Sequence, residues 1–290
     1  MLVFLALAQL AAAAPRVDST YATAALRDLV ARAAAANHAA PPDLDGYRAH
    51  VASEFAFVLH DSLGREQATQ VEQLDADAQW RRGRSYEFHV VGYRTQSVGA
   101  PISMLTLVSG WTVPTLYGDR LSLGAIPARG GRARDRDTVV AIHPLAADRD
   151  AYYRFSGGDT VTVLHTSTRS IPIVRIRARP GPRAPARAVV FDGEIYLDAE
   201  RAQIVRMRGA FVVVGAPHGG RPLWARLSGV VGVAFVEFVN AEVDGRYWLP
   251  AYQRTEFQAN VPIFGDNRAV LRLLSRFGDY RVEAGDSAGA

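Results

Sequence analysis

Val233-Ala-Phe-Val-Glu-Phe-Val-Asn-Ala-Glu-Val243, Asp244-Gly245, Arg246-Tyr-Trp-Leu-Pro-Ala-Tyr-Gln-Arg-Thr-Glu-Phe-Gln-Ala-Asn260 is the stretch on which the fold turns. Two runs rich in β-branched and aromatic residues flank an Asp-Gly pair, which accepts the positive φ angles of a tight hairpin turn. The same texture extends outward. From Leu44 onward, segments of about 6–11 residues rich in Val, Ile, Phe, Tyr and Thr alternate with Gly, Asp and Pro turns, which predicts a many-stranded antiparallel sheet. Further hairpins are predicted at Arg82-Gly83, between 78–81 and 85–93, and at Ser156-Gly157-Gly158-Asp159, between 152–155 and 160–165. Another joins 188–197 to 203–214 through a turn at 198–202. Upstream, Asp18-Ser19-Thr20 offers an N-cap, and Leu26, Leu29, Val30 and Ala33 recur at helical spacing before Asn37 and Pro41-Pro42. One amphipathic helix over residues 20–37 is therefore expected ahead of the strands.

The chain opens Met1-Leu-Val-Phe-Leu-Ala-Leu-Ala-Gln-Leu10, then Ala11 to Ala14 and Pro15. A short apolar run followed by small residues is the layout of a secretory leader, although no Arg or Lys precedes it. Residues 1–14 are read as a signal peptide; an N-terminal core helix is the alternative, and four Ala followed by Pro make a poor one. The expected location is the periplasm or the outer membrane surface. The absence of Cys excludes disulfides and thiolate metal sites. All 33 basic residues are Arg, spread among 29 acids, so the net charge of +4 does not mark a nucleic-acid surface. The dense cluster Arg129 to Arg136 is Gly-rich and reads as a flexible loop.

Residues 98–150 depart from the strand texture, with Pro101, Pro114, Pro127 and Pro144 and the apolar Trp111-Thr-Val-Pro-Thr-Leu-Tyr117. They are read as an irregular insert, with an arm or lid over 98–126; edge strands broken by Pro are the equal alternative. A single domain over 18–282 and a flexible tail from Glu283 to Ala290 complete the expected organisation.

No catalytic constellation is recognisable. The His residues at 38, 50, 60, 89, 143, 165 and 218 show no zinc-hydrolase spacing, and neither G-x-S-x-G nor a phosphate-cradling glycine loop occurs. His60-Asp61 is a lone dyad beside a turn. Asp192, Glu194 and Asp198 share one face of a strand, but Arg175, Arg177 and Arg179 before them and Arg206 and Arg208 after them predict acid–base ladders on a solvent face. The opposite face then buries Val189, Ile195, Leu197, Ile204, Val205 and Met207. No cofactor and no metal are expected.

Phe191-Asp-Gly-Glu-Ile-Tyr-Leu-Asp198 followed by Gln203-Ile-Val-Arg-Met-Arg-Gly209 resembles a hairpin of bacterial lipoprotein-sorting proteins and periplasmic lipoprotein carriers of the LolA/LolB type. Phe191, Gly193, Ile195, Leu197, Asp198, Ile204, Val205 and Arg206 carry the likeness. Ile173-Val-Arg-Ile-Arg-Ala178 fits the lead-in strand and Asp244-Gly245-Arg-Tyr-Trp-Leu-Pro250 a G-x-W-x-P strand start. The resemblance covers about half the chain. It implies a mainly β (α+β) fold: a strongly curved antiparallel sheet, an open half-barrel, with the N-terminal helix packed on it. It also implies an apolar cavity suited to acyl chains.

Candidates to line such a cavity are Phe55, Phe57, Trp111, Leu116, Phe211, Phe235, Phe238 and Trp248, with ordinary core packing as the competing reading of each. The expected function is non-catalytic: an envelope protein that binds or carries a lipid or a lipoprotein acyl chain. The alternatives are an interaction module docking an envelope protein through a sheet edge or the 98–126 arm, or a hydrolase using His60, Asp61 or the Asp192/Glu194 pair.

Overall fold

The computed structural model describes residues 20–60, 63, 65–98, 112–127, 136–166, 169–215, 234–260 and 268–285. Their elements are helix α1 (Ala24–Asn37) and strands β1 (Leu44–His60), β2 (Glu66–Arg81), β3 (Glu87–Ser97), β4 (Arg120–Pro127), β5 (Arg136–Ile142), β6 (Tyr153–His165), β7 (Ser170–Pro180), β8 (Val189–Asp198), β9 (Ile204–Val213), β10 (Ala234–Val243), β11 (Tyr247–Asn260) and β12 (Arg268–Ala284). Together they form one sheet, mostly antiparallel and not closed into a barrel, with α1 packed on it. The strand order is β3-β2-β1-β12-β11-β10-β9-β8-β5-β4, and β7-β6 branches from β8. The first and last long strands lie side by side, paired from Leu44↔Ala284 to His60↔Arg268. Glu283, expected in the tail, thus sits in β12 and accepts from Arg81 Nε at 2.8 Å.

The helix begins later than its pattern predicts. Thr23 is the N-cap, its side chain accepting from the Leu26 N–H at 3.1 Å. Residues 20–22 are held out of the helix by main-chain bonds to β6: the Phe155 N–H donates to the Thr20 carbonyl (2.7 Å) and the Ala22 N–H to the Phe155 carbonyl (3.2 Å). The buried stripe Leu26, Leu29, Val30, Ala33 is the predicted one.

α1 covers one face of the sheet, the inner face, where it joins Ile176, Ile195, Leu197, Met207, Phe211, Val236 and Phe238 in the main core. On the outer face, directly opposed residues alternate in sign across five strands: Arg177↔Glu194, Glu194↔Arg208, Arg208↔Glu237 and Glu237↔Arg254. The Arg175–Glu194 and Arg177–Asp192 pairs lie at 3.4 and 3.2 Å and are solvent-facing, as the spacing predicts. Pairs this exposed each add at most about 1 kcal/mol.

Three local readings are corrected. Ser156-Gly157-Gly158-Asp159 is no turn: β6 runs straight through it. Gly157 (φ 87°) and Gly158 (φ 109°) instead absorb a β-bulge against β7. A bulge and a turn both demand positive φ, so the glycine pair alone does not separate them. The β6–β7 reversal falls at 166–169, where the Thr166 N–H donates to the Arg169 carbonyl at 2.9 Å. Second, Val205 does not share the inner face with Ile204 and Met207. A register shift between Tyr196 and Leu197 turns it outward against Ile171, Ile173 and Trp248. Third, Asp198 stands on the outer side with Asp192 and Glu194 but is wholly buried, because Trp248 and Arg169 close over it.

Candidate functional site

The inner face continues beyond the helix-covered core onto β11, β12, β1 and β2, and its lining changes there. In-register residues Gln253, Ser275 and Ser53 form a row across β11, β12 and β1, with Ser275 Oγ and Ser53 Oγ 2.8 Å apart. Thr255, Glu72 and Gln70 face the same way, and all six are buried. These buried polar groups flank a smaller apolar cluster of Phe55, Leu74 and Leu273, against which Phe57 and Leu271 pack, and Leu271 also packs against the main core.

Residues 112–118 cross this face as a strap. Gln253 does for Val113 what a neighbouring strand would: its Oε1 accepts from the Val113 N–H at 2.9 Å, and its Nε2 donates to the Val113 carbonyl. The Tyr47 hydroxyl donates to the Pro114 carbonyl at 2.6 Å. The side chains of Val113 and Leu116 enter the main core. At the far end the Gly118 N–H donates to the Asn37 carbonyl at 2.9 Å. The Asn37 side chain in turn donates to the Ala33 and Ala202 carbonyls and accepts from the Ile204 N–H. One asparagine thereby joins the helix end, the strap and the β8–β9 turn.

Beside the strap lies an aromatic cluster. Tyr47 stacks on Trp80 (5.8 Å between centroids) and meets Tyr280 edge-on (5.3 Å), with Tyr86, Phe88 and Tyr117 packed against it. Burial pushes the phenols of Tyr47, Tyr86, Tyr117 and Tyr280 above their ordinary range, so they stay neutral.

The eight sequence candidates divide. Leu116, Phe211 and Phe238 are buried in the main core and Phe55 in the smaller cluster, with Phe57 packed against it, all on the inner face. Phe235 points outward, its ring under the guanidinium groups of Arg208 and Arg254 at 5.7 and 5.5 Å. Trp248 is buried on the outer face, and Trp111 lies outside the described residues. Sequence reading passed over Gln253, Thr255 and Ser53. Their signal was present: polar residues sharing strand parity with Phe257 and Phe55.

The proposed chemical groups do not converge. The His60 side chain and Asp61 lie outside the described residues. Asp192 and Glu194 are spent on arginines. On the outer face, His50, Asp77 and His89 form a row across β1, β2 and β3 in a groove of about 470 Å³. Among the described residues no His, Asp and Glu group is arranged to hold a metal ion. Nor, among them, is any helix long and apolar enough to cross a membrane, which leaves strands out of account.

No protein-family model matches the chain, and no curated relative does. Among solved structures the chain is similar to the crystal structure of MucB in complex with MucA(peri), at 10% identity and a TM-score of 0.20, over 89% of this chain and 99% of that chain. A likeness at that level carries no argument about function.

Proposed function

We propose that the protein is a non-catalytic binding module of the cell envelope that engages a partner protein in extended form on the inner face. The observation that supports this reading is the seating of the strap. Gln253 and Tyr47 hold Val113 and Pro114 by main-chain groups, a mode that recognises extended backbone largely regardless of its side chains. A photo-crosslinking residue in place of Thr115, on the strap, should give one discrete adduct with an envelope protein in cells. The same residue in place of Arg183, on an exposed loop, should give none. Equal labelling from both positions would overturn the proposal.

A second reading, carriage of an acyl chain, draws on the apolar cluster of Phe55, Leu74 and Leu273 on the inner face. Burial of each CH₂ would contribute about 0.8 kcal/mol. Native mass spectrometry of protein purified gently from membranes should then show bound lipid, and repeated recovery of the bare chain mass would sink this reading. Export of the chain, which both readings need, is tested by N-terminal sequencing of the mature protein for a cut near Ala13 or Ala14.

A further inference from the structure

We propose that the free edge of β6 pairs antiparallel with the β6 of a second copy of the chain. Among the described residues the sheet ends on three strands, β3, β4 and β6. β3 exposes Val91 and Tyr93 but sets Glu87, His89 and Arg94 among them and is bulged at Val91, and β4 is short, with Arg120 at one end and Pro127 at the other, devices that blunt an edge strand. Among the described residues, β6 is covered only in its first half, where residues 20–22 lie along it and bridge at Phe155. Beyond the glycine bulge, Asp159 to His165 are exposed on both sides of the strand, with a second register shift that leaves Val161 without a partner on β7, while Ile171 and Ile173, opposite Leu164 and Thr162, are buried. Thr160-Val-Thr-Val-Leu164 carries no charge and no Pro. Val161, Val163 and Leu164 are 41%, 44% and 39% exposed, apolar side chains on an edge that no described strand pairs, and the two Val and two Thr of the run favour a strand. Such a segment is a template for another strand.

Its ends indicate which strand. Asp159 stands at one end of the uncharged run and His165 at the other. A two-fold axis near the middle of the run turns the segment onto itself, so Asp159 of each copy approaches His165 of the other while the apolar residues meet in between. A two-fold contact of this kind is self-complementary and closes at the dimer. There is also room for the incoming end: a groove of about 550 Å³ between α1 and β6 opens at Gly158 and Asp159, with Asp28 on its wall. This pairing goes beyond the inner-face reading and stands or falls without it.

The chain has no Cys, which makes cross-linking clean. Sedimentation of the full chain should show a concentration-dependent shift from one to two chain masses. Val163→Lys, a change at an exposed position, should abolish the shift with the circular dichroism spectrum unchanged. Under mild oxidation Thr162→Cys or Val163→Cys should yield a disulfide-linked dimer, and Arg183→Cys should not. A wild-type chain that stays monomeric to its solubility limit would overturn the proposal. So would a dimer that survives Val163→Lys, or cross-linking no faster at 162 and 163 than at 183.

Discussion

Asp198 shows how much one residue can tie together. Its Oδ1 accepts from the Glu200 and Arg201 N–H groups at 2.9 and 3.1 Å, and its Oδ2 from Arg169 Nη2 at 2.8 Å and Trp248 Nε1 at 3.3 Å. Arg169 also donates to Glu242, and Arg201 to Glu242 and the Gly245 carbonyl. Three neighbouring reversals, β6–β7, β8–β9 and β10–β11, are thus fastened at one end of the sheet. Burial pushes the Asp198 carboxyl up, but the donors from Arg201, Arg169 and Glu200 outweigh it and hold it below the usual 3.8. Asp198→Asn keeps an acceptor for the two N–H groups but turns an amide donor toward Arg169 and Trp248. It should cost about 3 kcal/mol in urea unfolding at neutral pH. A carboxyl with a depressed value in the fold stabilises above its unfolded value and loses that contribution as pH falls through its folded one. The gap between wild type and Asp198→Asn should therefore be full above pH 3.8 and narrow in more acid solution. A gap that does not change with pH would exclude the ion pair as its source.

At the scale of elements, the F-x-G pattern of β8 acquires a physical reason. Gly193 and Gly209 stand directly opposite each other on β8 and β9. A Cβ on Gly193 would lie 2.4 Å from the Arg208 carbonyl oxygen and 2.5 Å from Phe191 Cζ, and one on Gly209 would lie 2.3 Å from the Asp192 carbonyl oxygen. The Phe191 ring folds over the space that a side chain at 193 would fill, and the Phe211 ring meets it edge-on at 5.7 Å. Gly193→Ala must displace backbone or ring, with an expected loss of about 2–3 kcal/mol by thermal or urea unfolding. A neutral result would mean that the two strands separate freely. What was legible in the sequence follows the same line. Asp244-Gly245 and the helical stripe of α1 announce themselves, since each is a local pattern with a single geometric solution. The bulges at Gly157–Gly158 and Val205 were not legible, because each is set by the partner strand's register. Asp198 was misplaced for a related reason: strand parity gives its side but not Trp248, fifty positions on, which buries it.

For the molecule as a whole, the decisive relation is between the sheet and the strap that crosses it. The apolar Trp111–Tyr117 stretch marks that segment in the sequence, whereas its seat, built by Gln253 on β11 and Tyr47 on β1, exists only once these distant strands share a sheet. The strap's main chain is bound to side chains of the sheet at Val113 and Pro114 and lies outside the strand ladder, while β9 is locked between β8 and β10. Local opening of the strap should thus lie below global unfolding in free energy, as is usual for segments that gate a binding face. Gln253→Leu fills nearly the same volume but leaves the Val113 N–H and carbonyl without their partner, a loss of about 2 kcal/mol. Amide exchange at Val113 should quicken about 30-fold, since each 1.4 kcal/mol is a factor of ten. Exchange at Met207 in β9, which samples global opening, should change far less. Equal acceleration at both positions would make the strap part of the cooperative core and remove it as the movable element of the inner face. Acceleration confined to Val113 would leave the sheet as a rigid seat that an extended partner can enter by displacing the strap.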